Sequence, residues 1–180
     1  MLIRQLGKAD ATPYHSLRLR MLQLYPDAFT SSYEEDVGKP LSWVEARLVP
    51  PQGGPGFVLG ACSGDGQIVG SVGLEVEARR KQRHKALLFG MYMAPEHSGR
   101  GGGRALVEAC LERARRIPGL EQIYLTVTAS NERAKRLYEN AGFHVFGLEE
   151  HALKIDGRYF AKAHMVLRFA EPSGRQEADA

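Results

Sequence analysis

Apolar positions along this chain follow two different spacings, and the spacing changes where turn residues intervene. Leu2 to Leu6 reads as a short first strand. Leu17, Met21 and Leu24 then share one face of a helix, with Thr12 as its predicted N-cap and Pro13 as its first helical residue. Pro26 and Asp27 end it, and the stretch from Ala28 to Pro40 reads as irregular. Ser42-Trp43-Val44-Glu45 has capping-box spacing and predicts a second helix ending near Val49. The run from Pro50 to Gly56 is rich in proline and glycine and reads as an exposed connector.

Beyond the connector the pattern turns to strands. Phe57 to Cys62 and Gln67 to Glu77 form a hairpin across Ser63-Gly64-Asp65-Gly66. Ala86 to Met93 is apolar nearly throughout, which predicts a strand buried on both faces. A helix from about Gly102 to Arg116 presents Leu106, Cys110, Ala114 and Ile117, and Pro118-Gly119 stops it. Ile123 to Val127 is another strand, and Asn131 to Ala141 a short helix closed by Gly142. Phe143 to Lys154 and Tyr159 to Phe169 pair across Asp156-Gly157, a hairpin turn.

The resulting order, β-α-α-β-β-β-α-β-α-β-β, places one strand-helix-strand crossover among hairpins. A crossover requires parallel strands, whereas the hairpins are antiparallel. The fold class is therefore α/β (α+β), with a mixed, mostly antiparallel sheet of about seven strands and about four helices on its faces. One domain over residues 1–170 is expected, followed by a polar, disordered tail over residues 171–180.

Composition adds little to that picture. Of 180 residues, 43% are hydrophobic and 25% charged, as in ordinary soluble domains. No apolar run reaches the ~20 residues of a membrane span, and the N-terminus lacks a signal-peptide stretch, so a cytoplasmic protein without a membrane partner is expected. The formal charge of +3 is too weak to argue for nucleic acid by itself, and none is expected as a partner. The basic run from Arg79 to Lys85 reads as a solvated loop between strands, and no aromatic interrupts it. Cys62 and Cys110 lack metal-ligand spacing and fall at core positions, so no metal is expected.

Chemistry concentrates in Met91-Tyr92-Met93-Ala94-Pro95-Glu96-His97-Ser98-Gly99-Arg100-Gly101-Gly102-Gly103-Arg104. A strand delivers a glycine-rich turn that opens a helix. Glycines allow close backbone approach and positive φ. The first helical N–H groups lack intrahelical acceptors, and the helix dipole is positive there. Such a turn cradles phosphate oxygens, and Arg100 and Arg104 add charge. A Walker loop would need Lys-Ser or Lys-Thr after the glycines, and a dinucleotide fingerprint would need glycine at Leu106; neither is present.

These residues resemble the GNAT superfamily of N-acetyltransferases. Its pyrophosphate signature is Arg/Gln-x-x-Gly-x-Gly/Ala; Gly101 and Gly103 match the glycines, and Ser98 stands in the first place. A second stretch, Asn131 to Phe143, fills every fixed position of the family's Asn-x-x-Ala-x-x-Leu-Tyr-x-x-x-Gly-Phe pattern. The resemblance covers roughly residues 57 to 169. It implies acetyl-CoA as cosubstrate and an amine acceptor, either a small molecule or a protein amine, with a homodimer left open. Cofactor-binding residues would be Met91, Tyr92, Met93, Gly99, Arg100, Gly101, Gly102, Gly103, Arg104, Asn131, Ala134 and Arg136. The family's strand offers backbone groups to the pantetheine arm, and Tyr138 would protonate the departing thiolate.

The Met93 N–H, at the end of its strand's pairing, is a candidate oxyanion donor. Glu75, on the neighbouring strand, is the candidate general base, acting through water. Glu34 and Glu35 would lie in the family's acceptor loop and could bind a cationic acceptor, while His151 and Tyr159 could line the opposite wall. Two other classes share the glycine loop: a non-catalytic acyl-CoA sensor and a nucleotide-binding regulatory protein.

Overall fold

The structure, a computed structural model, describes residues 1–49 and 54–169. The tail expected over residues 171–180 and the connector's Pro50 to Gly53 lie outside them. Seven strands form one sheet: β1 Leu2–Gln5, β2 Phe57–Cys62, β3 Ile68–Val76, β4 Lys85–Met93, β5 Gln122–Thr128, β6 His144–Ile155 and β7 Arg158–Arg168. Their order is β1-β2-β3-β4-β5-β7-β6, and β4–β5 is the parallel pair among antiparallel neighbours. Helices α1 (Ala11–Leu24), α2 (Tyr33–Val37), α3 (Leu41–Leu48), α4 (Gly102–Ala114) and α5 (Glu132–Asn140) complete the described residues, with short 3₁₀ turns at Lys8–Asp10 and Pro95–His97.

The α4 stripe of Leu106, Val107, Cys110, Leu111 and Ala114 packs on one face of the sheet, against residues including Leu59, Leu74, Ile123 and Met165. Tyr138 and Phe143 close that layer beside α5, ring centroids 5.9 Å apart. The other face carries α1 and α3, through Leu6, Tyr14, Val44, Leu48 and Val58, then Leu17, Met21, Tyr92 and Ala94. The β6–β7 turn falls on Asp156 (φ 48°) and Gly157 (φ 79°), residue types suited to a two-residue turn with both φ positive.

Several local expectations are corrected. Helix α1 starts at Ala11, and Thr12 does not cap it, because the preceding 3₁₀ turn already sets the chain direction. The Asp10 carboxylate there accepts from Gly7 N–H at 2.9 Å and pairs with Arg4. Leu24 is exposed, and the buried stripe is instead Tyr14, Leu17, Arg18, Met21 and Leu22. The stretch read as irregular contains α2, where Ser32 Oγ accepts from Glu35 N–H and Glu35 accepts from Ser32 N–H. Helix α3 starts at Leu41 behind Pro40, placing Ser42 inside its first turn.

The correction with functional weight concerns β4. Ala86, Leu88 and Tyr92 are buried, but Leu87, Phe89, Gly90, Met91 and Met93 are only partly so. The parallel ladder consists of Lys85–Gln122, Ala86–Ile123 and Leu87–Tyr124, and beyond it β4 and β5 diverge. The β3–β4 register shifts between Ser71 and Gly73, opposite Gly90 at φ +58°, and Ser71 Oγ donates to Gly90 O at 3.1 Å. A bulge bends a strand, and this one sits where β4 leaves β5. Leu88 to Met91 of β4 therefore line a gap instead of a second packed layer.

Candidate active site

The gap between β4 and β5 holds a cavity of about 240 Å3. Phe89, Gly90 and Met91 come from β4, Thr126 to Thr128 from β5, and Asn131, Ala134 and Tyr138 from α5. Phe29 to Ser31 close it from the α1–α2 loop. Two hydrogen bonds tie that loop across the sheet: Thr128 Oγ1 donates to Asp27 O at 2.6 Å, and Lys162 Nζ to Ala28 O at 2.9 Å.

The glycine turn adjoins this cavity. Gly99 (φ +77°) and Gly101 (φ +81°) take the left-handed conformation, with no atom near where their Cβ would stand. Gly101 is the N-cap of α4 and offers no side chain to cap it. The first helical bond runs from Ala105 N–H to Gly101 O, so the N–H groups of Gly102, Gly103 and Arg104 precede the helix's own ladder. These unclaimed donors follow the exposed Gly99 and Gly101 and fit a pyrophosphate, while Gly102 itself is buried against Met93 and Met1. A Cβ on Gly103 would come within 2.9 Å of Met91 Cε and 3.8 Å of Leu137 Cδ2, so the turn, β4 and α5 converge.

Around the turn, Arg100 is exposed, while Arg104 is exposed and held by Glu108, Nε to Oε1 2.6 Å. Ser98 Oγ donates to Ala94 O at 3.3 Å, so its hydroxyl serves the turn itself. Asn131 Oδ1 accepts from Ala134 N–H at 3.0 Å and starts α5. Arg136 is exposed, its Nε directed to Glu132 O at 3.4 Å. Met93 packs between Gly70 and Gly102. The Tyr92 side chain points away from the cavity into the α1 layer, against Tyr25, leaving only its backbone for a cofactor.

Tyr138 lines the cavity while only 7% exposed. Burial, with Cys110 nearby, raises its pKa well above the usual tyrosine value, so the phenol keeps its proton at neutral pH. Burial pushes the Cys110 thiol up to about 12, which suits a core residue and not a nucleophile.

Other expectations are not met. Glu75 is exposed and lines an adjoining cavity with Trp43, Glu77 and Arg83; Phe89 and Arg47 border both cavities. It is not brought together with Tyr138. Glu34 and Glu35 are exposed outside the cavity, since Glu35 is used by its capping box. His151 and Tyr159 stack on each other at 4.2 Å out on the β6–β7 hairpin and line neither cavity. The Met93 N–H was tied to the end of pairing, but β4 stays paired with β3 through Gly70–Met93; the lost partner is β5, from Leu87 onward.

A profile of the acetyltransferase (GNAT) family matches residues 18–143. The chain belongs to the GNAT family. Spermidine N(1)-acetyltransferase of Vibrio cholerae is 38% identical over 94 residues, 52% of this chain and 54% of that protein. The chain thus spans about half the length of the spermidine acetyltransferases it matches. L-amino acid N-acetyltransferase AaaT of Escherichia coli is 27% identical over 86% of this chain and 94% of its own. A phosphinothricin acetyltransferase from Sinorhizobium meliloti, solved with AcCoA, superposes with a TM-score of 0.83 at 19% identity, covering 97% of this chain and 91% of that one; at that identity it shows the fold alone.

Three residues of this GNAT chain were missed in the sequence: Arg18, Arg47 and Lys162 all line the cavity. Arg18 and Lys162 are each 4% exposed. Arg18 pairs with buried Asp36 through Nε–Oδ2 at 2.5 Å. Arg47 lies over the Phe89 ring at 4.6 Å and donates from Nε to Tyr14 Oη at 3.2 Å. The readable signal for Arg18 was a cation on the apolar stripe of a helix. Among the described residues, no helix is long and apolar enough to cross a membrane, and no group of three His, Cys, Asp or Glu could hold a metal.

Proposed function

We propose that this chain transfers the acetyl group of acetyl-CoA to a primary amine, by direct attack within a ternary complex. The relatives' names include acetylation of spermidine and of L-amino acids, both amines. The observation that carries the reading is the divergence of β4 from β5 after Leu87, which opens a cavity onto Tyr138 next to the glycine turn.

The thioester supplies an activated acyl carbon and a sulfur leaving group. The N–H groups of Gly102, Gly103 and Arg104, with the charge of Arg100, hold the pyrophosphate at the α4 N-terminus. Backbone groups of Met91 and Met93, left without β5 partners, hold the pantetheine arm, and Ala134 keeps its path clear beside Asn131. The Met93 N–H is directed at the acyl oxygen. Tyr138 gives its proton to the departing sulfur. Its raised pKa keeps that proton in place until a thiolate develops beside it. Among the described residues no carboxylate lines this cavity, so the amine loses its proton to solvent, with Glu75 able to act only through intervening water.

Thiol release from acetyl-CoA, followed with an acceptor panel for the natural chain and Tyr138→Phe, tests this. The variant should bind CoA as before and lose turnover by about a hundred-fold, the usual range for a general acid. Unchanged turnover would remove Tyr138 as the acid. CoA binding without acetylation of any amine would favour a sensor.

A further inference from the structure

The charges around the cavity point to what the acceptor carries besides its amine. Arg18, Arg47 and Lys162 line it, and among the described residues Asp36 is the carboxylate that pairs with any of them. Among the described residues Lys162 Nζ donates to the Ala28 carbonyl, a neutral acceptor, and Asp27 acts on it through charge without a hydrogen bond. The Arg47 guanidinium carbon lies 4.6 Å from the Phe89 centroid and 5.8 Å from the Trp43 centroid. Its Nε is used by Tyr14, and one terminal nitrogen lies 3.8 Å from where a Cβ on Gly90 would stand. That leaves terminal N–H donors at the β4 bulge, where acyl transfer would occur.

Burying a cation is unfavourable unless its charge is fully offset, and both buried cations show the cost. Burial lowers the pKa of Lys162 against an opposing pull from Asp27. Burial lowers that of Arg18 and repulsion from Arg47 lowers it further, together outweighing the pull of Asp36. An anion entering the cavity would relieve this. A second ammonium would worsen it, since no carboxylate among the described residues lines the cavity: Asp27, Glu34 and Glu35 stand outside it and Asp36 is committed to Arg18. The tethered Phe29 loop walls one side of the cavity.

We infer that the acceptor is a small amine bearing a carboxylate, of the α-amino acid type, and not a polyamine. The carboxylate sits between Arg47 and Lys162, which sends the amine toward the Gly90 bulge. A planar guanidinium held against aromatic rings suits a carboxylate, since its parallel N–H groups match two oxygens. This inference rests on the acetyl-transfer reading of the same cleft.

The test compares L-amino acids, their decarboxylated amines and spermidine as acceptors, with CoA affinity measured by calorimetry on the same protein. Amino acids should exceed their decarboxylated partners by about ten- to a hundred-fold in kcat/KM, the range for one charged hydrogen-bonded contact. Arg47→Gln and Lys162→Met should raise KM for the amino acid and narrow that preference, with Arg47→Lys intermediate. Arg47→Glu should gain activity on spermidine. Unchanged far-UV dichroism and CoA affinity confirm that each variant is folded. Equal or better use of spermidine or the decarboxylated amines overturns the inference and leaves acetyl transfer standing. Failure to bind CoA, or binding with no amine acetylated, defeats the underlying reading and this inference with it.

Discussion

Replacing Asp36 by alanine should be among the most damaging single changes outside the main core. The Arg18 and Asp36 side chains are 4% and 3% exposed, and Nε meets Oδ2 at 2.5 Å. Removing the carboxylate leaves a guanidinium that water barely reaches, beside Arg47, whose charge already disfavours it. Breaking a buried pair from one side costs about 3–5 kcal/mol. The Trp43 ring, 6.0 Å from the Arg18 guanidinium, offsets little of that. A domain of this size is stable by about 5–15 kcal/mol, so roughly a third would be lost, lowering Tm by about 10 °C. Urea denaturation followed by far-UV circular dichroism gives the number. Adding Arg18→Met to Asp36→Ala should restore part of the loss, because the orphaned charge goes with it. A loss under about 1 kcal/mol, or strict additivity in the double variant, would refute the reading of Arg18 as a buried cation that depends on Asp36.

Three further outcomes follow from the same geometry. Gly101→Ala meets open space but must hold φ near +81°, so it should lower stability by about 1–2 kcal/mol and weaken CoA binding; calorimetry and denaturation together check both. Glu75→Gln should leave kcat/KM within about two-fold at neutral pH, and a loss of about ten-fold or more with a shifted pH profile would return the base role to Glu75. Lys162 has a folded pKa below its ordinary 10.5, so the unfolded chain binds more protons between those values, and stability rises with pH across that window. Relative to Lys162→Met, the natural chain should therefore gain as pH climbs toward the ordinary lysine value, whereas a flat difference would show that Lys162 is not penalised by burial.

Much of the architecture was readable because it is local. Hairpin turns, the α4 and α5 stripes and the glycine turn each announce themselves within a dozen residues, so strand and helix positions could be placed before their partners were known. Helix α2 escaped because five residues carry no apolar period, although the Ser32–Glu35 capping box stood in plain view. β4 misled for a different reason: an apolar run looks the same whether protein or a ligand covers its second face. Only the three-dimensional register shows that β5 leaves after Leu87. The insertion of β7 between β5 and β6 is likewise non-local, and with it came Lys162, carried to the cavity by pairing opposite Thr128. Glu75 was chosen for nearness in the strand order, which says nothing about which side of Phe89 and Arg47 a carboxylate will face.

Comparing CoA with pantetheine, which lacks the pyrophosphate and the adenosine 3′-phosphate it carries, in the natural chain and in Gly101→Ala, tests the glycine turn most directly. Titration calorimetry on the unaltered chain should give CoA an affinity at least about a hundred-fold higher, in line with several charge-assisted hydrogen bonds to the α4 N-terminus. Equal affinities, or no binding of CoA, would contradict the assignment of that turn as the pyrophosphate cradle.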